Sequence, residues 1–234
     1  AGFEDSAKVT HYVKQIDRVG AQTNNPTALR VFYEFKGDRA SDESRYKLAE
    51  QWYLRGVDLA QQYPNAVDES LFYFNLGNVY MNMGDDIDKA LDFYILSLGN
   101  STSISRDNHR TYLHIAHLYL TKGDIEACKS YIDILFSIED VLSEPRERYA
   151  LYNTRAQYYL KLKEYELALA DFKFADELLS EVVSQTNDER VILALSIANV
   201  EYYLGNHEVS ESYYERYLNG VKAIYGDDLL AYVE

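Results

Sequence analysis

The segment Tyr73–Ser97, with the sequence YFNLGNVYMNMGDDIDKALDFYILS, decides the fold. Apolar and small residues recur three and four positions apart on both sides of its central Gly-Asp pair, which is typical of two amphipathic helices joined by a tight turn. Gly84 suits the left-handed residue that ends a helix, and Asp85 or Asp86 can cap the next helix by accepting its free amide hydrogens. The segment therefore predicts a helical hairpin.

The same pattern returns along the chain at a nearly constant spacing. The small residue of the first helix recurs at Gly77, Ala116, Ala156 and Ala198. The small residue of the second helix recurs at Ala49, Ala90, Cys128, Ala168 and Ser210. Because each copy is a helical hairpin that cannot bury its apolar face alone, this regularity predicts a stack of hairpins.

The copies resemble the tetratricopeptide repeat, whose W-x-x-L-G-x-x-Y…A-x-x-x-F spacing they follow. They differ in having Tyr for Trp at the head of three copies, and a period near 40 residues in place of about 34. The resemblance implies an all-α, right-handed superhelical solenoid of antiparallel helix pairs, with the first helices on its concave face. Arrays of this long period are similar to those of bacterial sensory and regulatory proteins and of cargo adaptors, so the fold alone does not identify the task.

We expect three regions along the chain. Residues 1–65 are interpreted as atypical N-terminal helices and a degraded first repeat that caps the array, 66–225 as four helix pairs, and 226–234 as the start of a further helix that continues beyond Glu234. Within the cap, apolar spacing predicts helices over 3–20 and 28–35, and the polar segment 37–44 predicts a loop. The expected helices of the array are 67–84, 86–98, 106–122, 124–138, 145–162, 164–184, 188–204 and 206–224.

Composition and charge exclude several classes of function. The chain has 38 acidic and 23 basic residues, a net charge of −15, so its surface repels phosphate backbones and direct nucleic-acid binding is not expected. No apolar run approaches the roughly 20 residues of a membrane helix, and we expect no membrane contact from this region. Cys128, the one cysteine, occupies a small buried position of the repeat and is expected to be inert.

Catalytic motifs are missing from the sequence, so we expect neither an enzyme nor a cofactor in this region. It has no Gly-rich phosphate loop, no G-x-S-x-G elbow and no H-E-x-x-H pair. His114 and His117 share one helix near His109, but no further ligand is placed by spacing to complete a metal site. We therefore interpret these histidines as surface or groove residues.

The face of the first helices that points away from the second helices is the expected ligand site, as the resemblance implies. Its residues are Phe74, Asn78, Met81, Asn82, Arg110, Leu113, His117, Asn153, Gln157, Lys161, Asn199 and Tyr202. One row along it, at Asn78, His117, Gln157 and Asn199, both donates and accepts hydrogen bonds, which suits the backbone of an extended peptide. Arg110 and Lys161 would attract a carboxylate.

Two functions remain open at this point. The first is a non-enzymatic protein- or peptide-interaction module, the sensory or regulatory region of a larger bacterial signalling protein whose catalytic output domain lies beyond residue 234. The second is a stand-alone scaffold or adaptor that assembles a protein complex. Both functions are compatible with a periplasmic or a cytoplasmic location. Both also allow a homodimer through an end repeat, because the end of an uncapped solenoid exposes apolar surface.

Overall fold

A computed structural model describes residues 13–18, 20, 22–64, 68–84, 86–99, 108–183 and 187–226. Over these residues the chain forms α-helices and no β-strand, which confirms the predicted all-α architecture. The chain divides into two compact units, Ala1–Thr102 and Ser103–Glu234. Each unit is built from helices that pair with their neighbours in sequence.

The first unit contains two helical hairpins, preceded by a helical segment at 13–18. Its helices are α1 (Pro26–Asp42), α2 (Tyr46–Gln62), α3 (Ser70–Met83) and α4 (Ile87–Leu98). The second unit contains three hairpins and a short 3-10 helix at Glu139–Val141. Its helices are α5 (His109–Lys122), α6 (Ile125–Phe136), α7 (Pro145–Lys161), α8 (Tyr165–Ser180), α9 (Asp188–Tyr203) and α10 (His207–Tyr225).

Every hairpin turns through one residue in the left-handed conformation. These residues, with their φ angles, are Ser44 (56°), Gly84 (69°), Gly123 (80°), Lys163 (63°) and Gly205 (81°). Glycine adopts this conformation without a steric penalty, because it has no Cβ. The prediction for Gly84 is confirmed, whereas Ser44 and Lys163 hold the same geometry with a side chain.

Side-chain caps begin four of the helices. The side chains of Asn25, Asp86, Asp124 and Asn187 accept backbone N–H hydrogen bonds at the starts of α1, α4, α6 and α9. Of the two candidates for the cap of α4, Asp86 accepts from the Lys89 amide at 3.0 Å, and Asp85 lies outside the described residues. Each cap satisfies an amide that has no partner within its own helix.

The predicted loop over 37–44 is wrong, because α1 continues to Asp42. Gly37 does not break the helix; it allows α1 to pack closely against α2. A Cβ at Gly37 would lie 2.2 Å from Cε1 of Tyr53, a distance that real contacts do not reach. Next to it, Asp38 accepts a 2.7 Å hydrogen bond from the Tyr53 hydroxyl, and Ala40 is buried. Segment 37–44 is therefore mostly the end of a packed helix.

The small repeat positions lie in the cores of both units. Ala49, Ala90, Ala116 and Ala168 are completely buried, and large aromatic rings pack beside them. The predicted burial of Cys128 is confirmed, since its side chain has no exposed surface and burial raises the pKa of its thiol to about 11. A thiol with a raised pKa has little reactive thiolate at neutral pH.

Partly buried ion pairs hold the last two hairpins together. Arg155 of α7 binds Asp171 of α8 through two hydrogen bonds of 2.6 and 2.8 Å. Asp176 of α8 accepts hydrogen bonds from Arg190 of α9 and Arg216 of α10. Burial raises the pKa of Asp176, but these two arginines outweigh it and hold the pKa below its usual value. Charged groups thus join α8 to three neighbouring helices.

Candidate functional site

A cleft of about 840 Å³ lies in the second unit, on the exposed side of the first helices of its hairpins. One wall is α5, the other is α7, and the first turn of α9 and the end of α8 complete it. The α5 wall contributes His109, Arg110, Leu113, His114 and His117. The α7 wall contributes Arg146, Tyr149, Ala150, Asn153, Thr154 and Gln157.

Helical periodicity places these residues on one wall each. On α5 the lining residues are three or four positions apart from Arg110 onward, and on α7 the same spacing runs from Arg146 to Gln157. The opposite sides of both helices are occupied by buried residues such as Ile115, Ala116 and Ala156. The packing of the hairpins thus leaves this polar side of each first helix open.

The α5 wall carries Arg110 and three histidines. Burial lowers the pKa of His114 to about 4, and the positive charges of Arg110 and His117 act in the same direction. Burial also lowers the pKa of His117. Both imidazoles are therefore neutral near pH 7, and each can donate one hydrogen bond and accept another.

Acidic groups lie on the other side of the cleft, around the first turns of α7 and α9. Glu144 and Glu147 form a capping box at the start of α7, and the carboxylate of Glu189 lies 3.5 Å from the Arg146 guanidinium. Burial, reinforced by the Glu189 charge, raises the pKa of Tyr149 to about 12, so its hydroxyl stays protonated. This side of the cleft therefore combines an ion pair with a neutral hydroxyl.

Five of the twelve predicted groove residues line this cleft: Arg110, Leu113, His117, Asn153 and Gln157. Three others in the second unit, Lys161, Asn199 and Tyr202, do not line it. Tyr202 is exposed and packs edge-on against His207 at the turn of the last hairpin. Asn199 accepts a 2.6 Å hydrogen bond from the Tyr214 hydroxyl.

The other four predicted residues lie in the first unit on α3. The hydroxyl of Tyr94 donates a 2.7 Å hydrogen bond to Oδ1 of Asn78 and lies 3.7 Å from the sulfur of Met81. The Phe74 ring packs 5.7 Å from the Tyr94 ring, and Asn82 is exposed. Three of these four residues thus surround one tyrosine.

The N-terminal part of the α7 wall was not predicted from the sequence. Arg146, Tyr149 and Ala150 precede Asn153 by seven, four and three positions, which is the spacing of one helix face. Extending the face toward the start of α7 would have found them. Glu189 gave no such signal, because only the fold brings the start of α9 to the cleft.

Two further properties concern the described residues. No group of three or more His, Cys, Asp or Glu side chains among them is arranged to hold a metal ion. None of the helices described is both long and apolar enough to cross a lipid bilayer.

Comparison with known proteins agrees with this fold. Residues 109–133 match the tetratricopeptide repeat family, which confirms the resemblance for the α5–α6 hairpin. No curated protein matches the chain by sequence.

Three solved structures share the fold at low identity. BtubC from P. vanneervenii has a TM-score of 0.74 and 18% identity, over 94% of this chain and 91% of its own. The apo quorum sensor NprR from B. thuringiensis has a TM-score of 0.77 and 16% identity, over 98% of this chain and 64% of its own. A Rap protein complexed with a competence and sporulation factor has a TM-score of 0.69 and 17% identity, over 92% of this chain and 60% of its own. The chain thus spans less than two thirds of the NprR and Rap chains.

Proposed function

We propose that this chain, which has the fold of tetratricopeptide repeat proteins, is a non-enzymatic module that binds an extended peptide in the α5–α7 cleft. The observation that carries the proposal is the cleft itself. Its volume of about 840 Å³ falls in the range of roughly 300–1,000 Å³ typical of ligand pockets.

The chemistry of the two walls suits a peptide backbone. His117 on α5 and Asn153 and Gln157 on α7 carry both hydrogen-bond donors and acceptors. A peptide main chain presents N–H and C=O groups in alternation, so such side chains bind it in any sequence. Leu113, Ala150 and Val182 add apolar surface on which a side chain of the peptide can rest.

The charges in the cleft favour a ligand with its own polar ends or side chains. Arg110 offers a positive charge on one wall, whereas Glu189 with its partner Arg146 lies on the other. An uncharged apolar compound would displace water from these groups without offering hydrogen bonds in return, at a cost of about 1–3 kcal/mol for each hydrogen bond to water that is lost without replacement. We therefore favour a peptide over a hydrophobic small molecule.

The wider role that we propose is the sensory or regulatory region of a bacterial signalling protein. Two proteins with the same fold support it: NprR is described as a quorum sensor, and the Rap protein is complexed with a competence and sporulation factor. In this role the peptide is the signal and the hairpins transmit its presence to an output partner.

The alternative is a scaffold that assembles a protein complex. Its support is that the match to BtubC extends over 91% of that chain, so nearly all of that chain has this fold and its match needs no separate output domain. A scaffold would contact a folded partner across a wide surface and would not need the cleft to accept a linear peptide.

A display experiment distinguishes the two. The protein is used to select from a library of random linear 12-residue peptides, and a selected sequence is synthesised with a fluorescent label for anisotropy titration. The variant Asn153→Ala/Gln157→Ala should raise the Kd at least about tenfold, because it removes two hydrogen bonds worth about 1 kcal/mol each. Asn219→Ala, an exposed amide on α10, is the matched control and should leave the Kd unchanged.

Circular dichroism of both variants checks that the fold is retained. Selection of no linear peptide, or an unchanged Kd in the Asn153→Ala/Gln157→Ala variant, would contradict the peptide-binding proposal and leave the scaffold as the better account.

A further inference from the structure

A second cavity, of about 440 Å³, lies within the first unit, in the hairpin of α1 and α2. One side is formed by the last two turns of α2, and the other by the first two turns of α1 and the preceding Asn24. Its polar lining residues are Asn24, Tyr33, Arg55, Asp58, Gln62 and Tyr63. The volume falls in the range of roughly 300–1,000 Å³ typical of ligand pockets, so the cavity has room for a small molecule.

The face of α2 that lines this cavity is polar and accessible to solvent. Arg55, Asp58 and Gln62 are three and four positions apart, so the helical repeat places them on one face, and all three are exposed. The opposite face, with Tyr53 and Val57, is buried in the core of the unit. The core therefore uses one face of α2 and leaves the polar face to the cavity.

Arg55 is held at the cavity by an aromatic ring. Its guanidinium carbon lies 4.5 Å from the centre of the Trp52 ring. Trp52 in turn packs against Phe32, edge-on at 5.7 Å, and against Tyr33, stacked at 6.1 Å. Among the residues that the structure describes, Arg55 forms no hydrogen bond or ion pair. The cation–π contact thus positions the positive charge and leaves the N–H donors for a ligand.

Asp58 brings the opposite charge to the same cavity, one helical turn after Arg55. Its carboxylate has no hydrogen bond or ion pair within the described part of the chain, so the two charges do not pair with each other. A ligand that is only an anion would be repelled by Asp58, and one that is only a cation would be repelled by Arg55. A ligand that carries both charges is attracted by both side chains. The lining therefore favours a zwitterion.

We propose that this cavity binds a free polar amino acid, whose carboxylate accepts hydrogen bonds from Arg55 and whose ammonium group donates to Asp58. The two charges of an amino acid are joined through one carbon, which matches side chains one helical turn apart, with Cβ atoms about 5–6 Å from each other. The amides of Asn24 and Gln62 can both donate and accept hydrogen bonds, and so suit a polar ligand side chain. This site is distinct from the α5–α7 cleft and takes a different ligand.

The test is an NMR titration of the isotope-labelled full chain with free L-glutamine, L-asparagine, L-glutamate and L-arginine. At least one of these amino acids should bind with a Kd below about 1 mM. The N-acetyl form of that amino acid lacks the positive charge, and its carboxamide form lacks the negative charge. Each of these two derivatives should bind at least about tenfold more weakly, because one charge-assisted contact is lost.

Two variants assign the contacts. Arg55→Gln and Asp58→Asn each remove one charge and should each raise the Kd of the free amino acid at least about tenfold. If Asp58 holds the ammonium group, Asp58→Asn should have little further effect on the binding of the N-acetyl derivative. Asp92→Asn, at an exposed carboxylate on α4 of the same unit, is the matched control and should leave the Kd unchanged.

Three results would overturn this site. The first is that none of the four amino acids binds. The second is an unchanged Kd in Arg55→Gln or Asp58→Asn, with circular dichroism confirming that the variants are folded. The third is binding that is lost in Asn153→Ala/Gln157→Ala and kept in Asp58→Asn, which would place the amino acid in the α5–α7 cleft.

Discussion

Gly37 lies directly against the ring of Tyr53, so that a Cβ on Gly37 would be 2.2 Å from Cε1 of that ring. Gly77 and Tyr94 have the same relationship one hairpin later, with a corresponding distance of 2.7 Å. Both rings are buried and both hydroxyls are hydrogen-bonded to the neighbouring helix, so neither ring is free to withdraw. The two hairpins of the first unit are therefore closed by the same glycine–tyrosine contact.

Gly37→Ala should destabilise the protein. The new methyl group gains about 1 kcal/mol of helix propensity, but overpacking against Tyr53 costs about 1–3 kcal/mol. The net effect is a loss of about 0–2 kcal/mol, so we expect the free energy of unfolding in urea to fall by about 1 kcal/mol. In a Tyr53→Leu background the same substitution should cost much less, and a stabilised Gly37→Ala protein would disprove the contact.

Lys163→Gly should stabilise the protein. Lys163 turns the hairpin of α7 and α8 at φ 63°, a conformation that costs a residue with a side chain about 1 kcal/mol. Urea denaturation should show a gain of that size. Gly123→Ala at the equivalent turn should lose a similar amount, and Lys163→Ala, which keeps a Cβ, should show no gain.

Asp171→Asn should be strongly destabilising, because it removes the charge that binds Arg155. The Asp171 side chain is 9% exposed, and the Arg155 guanidinium also lies 3.8 Å from the centre of the Phe136 ring. Because 26% of the Arg155 side chain is exposed, we expect a cost of about 1.5–3 kcal/mol for the lost charged hydrogen bonds, less than the roughly 3–5 kcal/mol of a fully buried pair. Asp133→Asn, which breaks the exposed pair with Lys129, should cause no measurable loss of stability in the same urea experiment, because solvent screens that pair.

The stability of the protein should fall as the pH drops from about 6.5 to 4. His114 has a pKa of about 4 when folded, against about 6.5 in an unfolded chain, so the unfolded state binds more protons between these two values. The free energy of unfolding should decrease by up to about 3 kcal/mol across this window. His114→Gln should flatten the decrease between pH 6.5 and 4, and His207→Gln, at an exposed position, should not. An unaltered slope in His114→Gln would contradict the assignment.

The regular hairpins could be predicted closely from the sequence. The expected helix over 86–98 is found at Ile87–Leu98, and that over 206–224 at His207–Tyr225. Small repeat residues, left-handed turn residues and N-caps each depend on residues a few positions away. They can therefore be recognised in the sequence. Helix α1 was predicted too short because of Gly37. In the sequence, a glycine in a polar segment looks the same whether it ends a helix or lies inside a helix against an aromatic ring of its neighbour.

The candidate site was predictable to the same extent: its features that depend on local sequence could be found, and those that depend on contacts between helices could not. The hydrogen-bonding residues of the cleft, such as His117 and Gln157, could be found from their repeat position. The bond from Tyr214 to Asn199 could not, because it joins two helices and its polarity depends on where the hydroxyl lies. The domain boundaries remain predictions, and the helix expected over 226–234 lies almost wholly outside the described residues.

The single left-handed residue in every hairpin turn also determines where the chain tolerates changes in length. An added residue inside such a turn would rotate the second helix away from the first and expose the small positions that let them meet. The connection over 137–144 between α6 and α7 contains no left-handed residue. Leu142 is buried and Glu139 is hydrogen-bonded to Tyr152, but the Asp140 and Ser143 side chains are exposed. A fluorescent reporter or an affinity tag should therefore be grafted between hairpins, where it leaves each pair of helices intact.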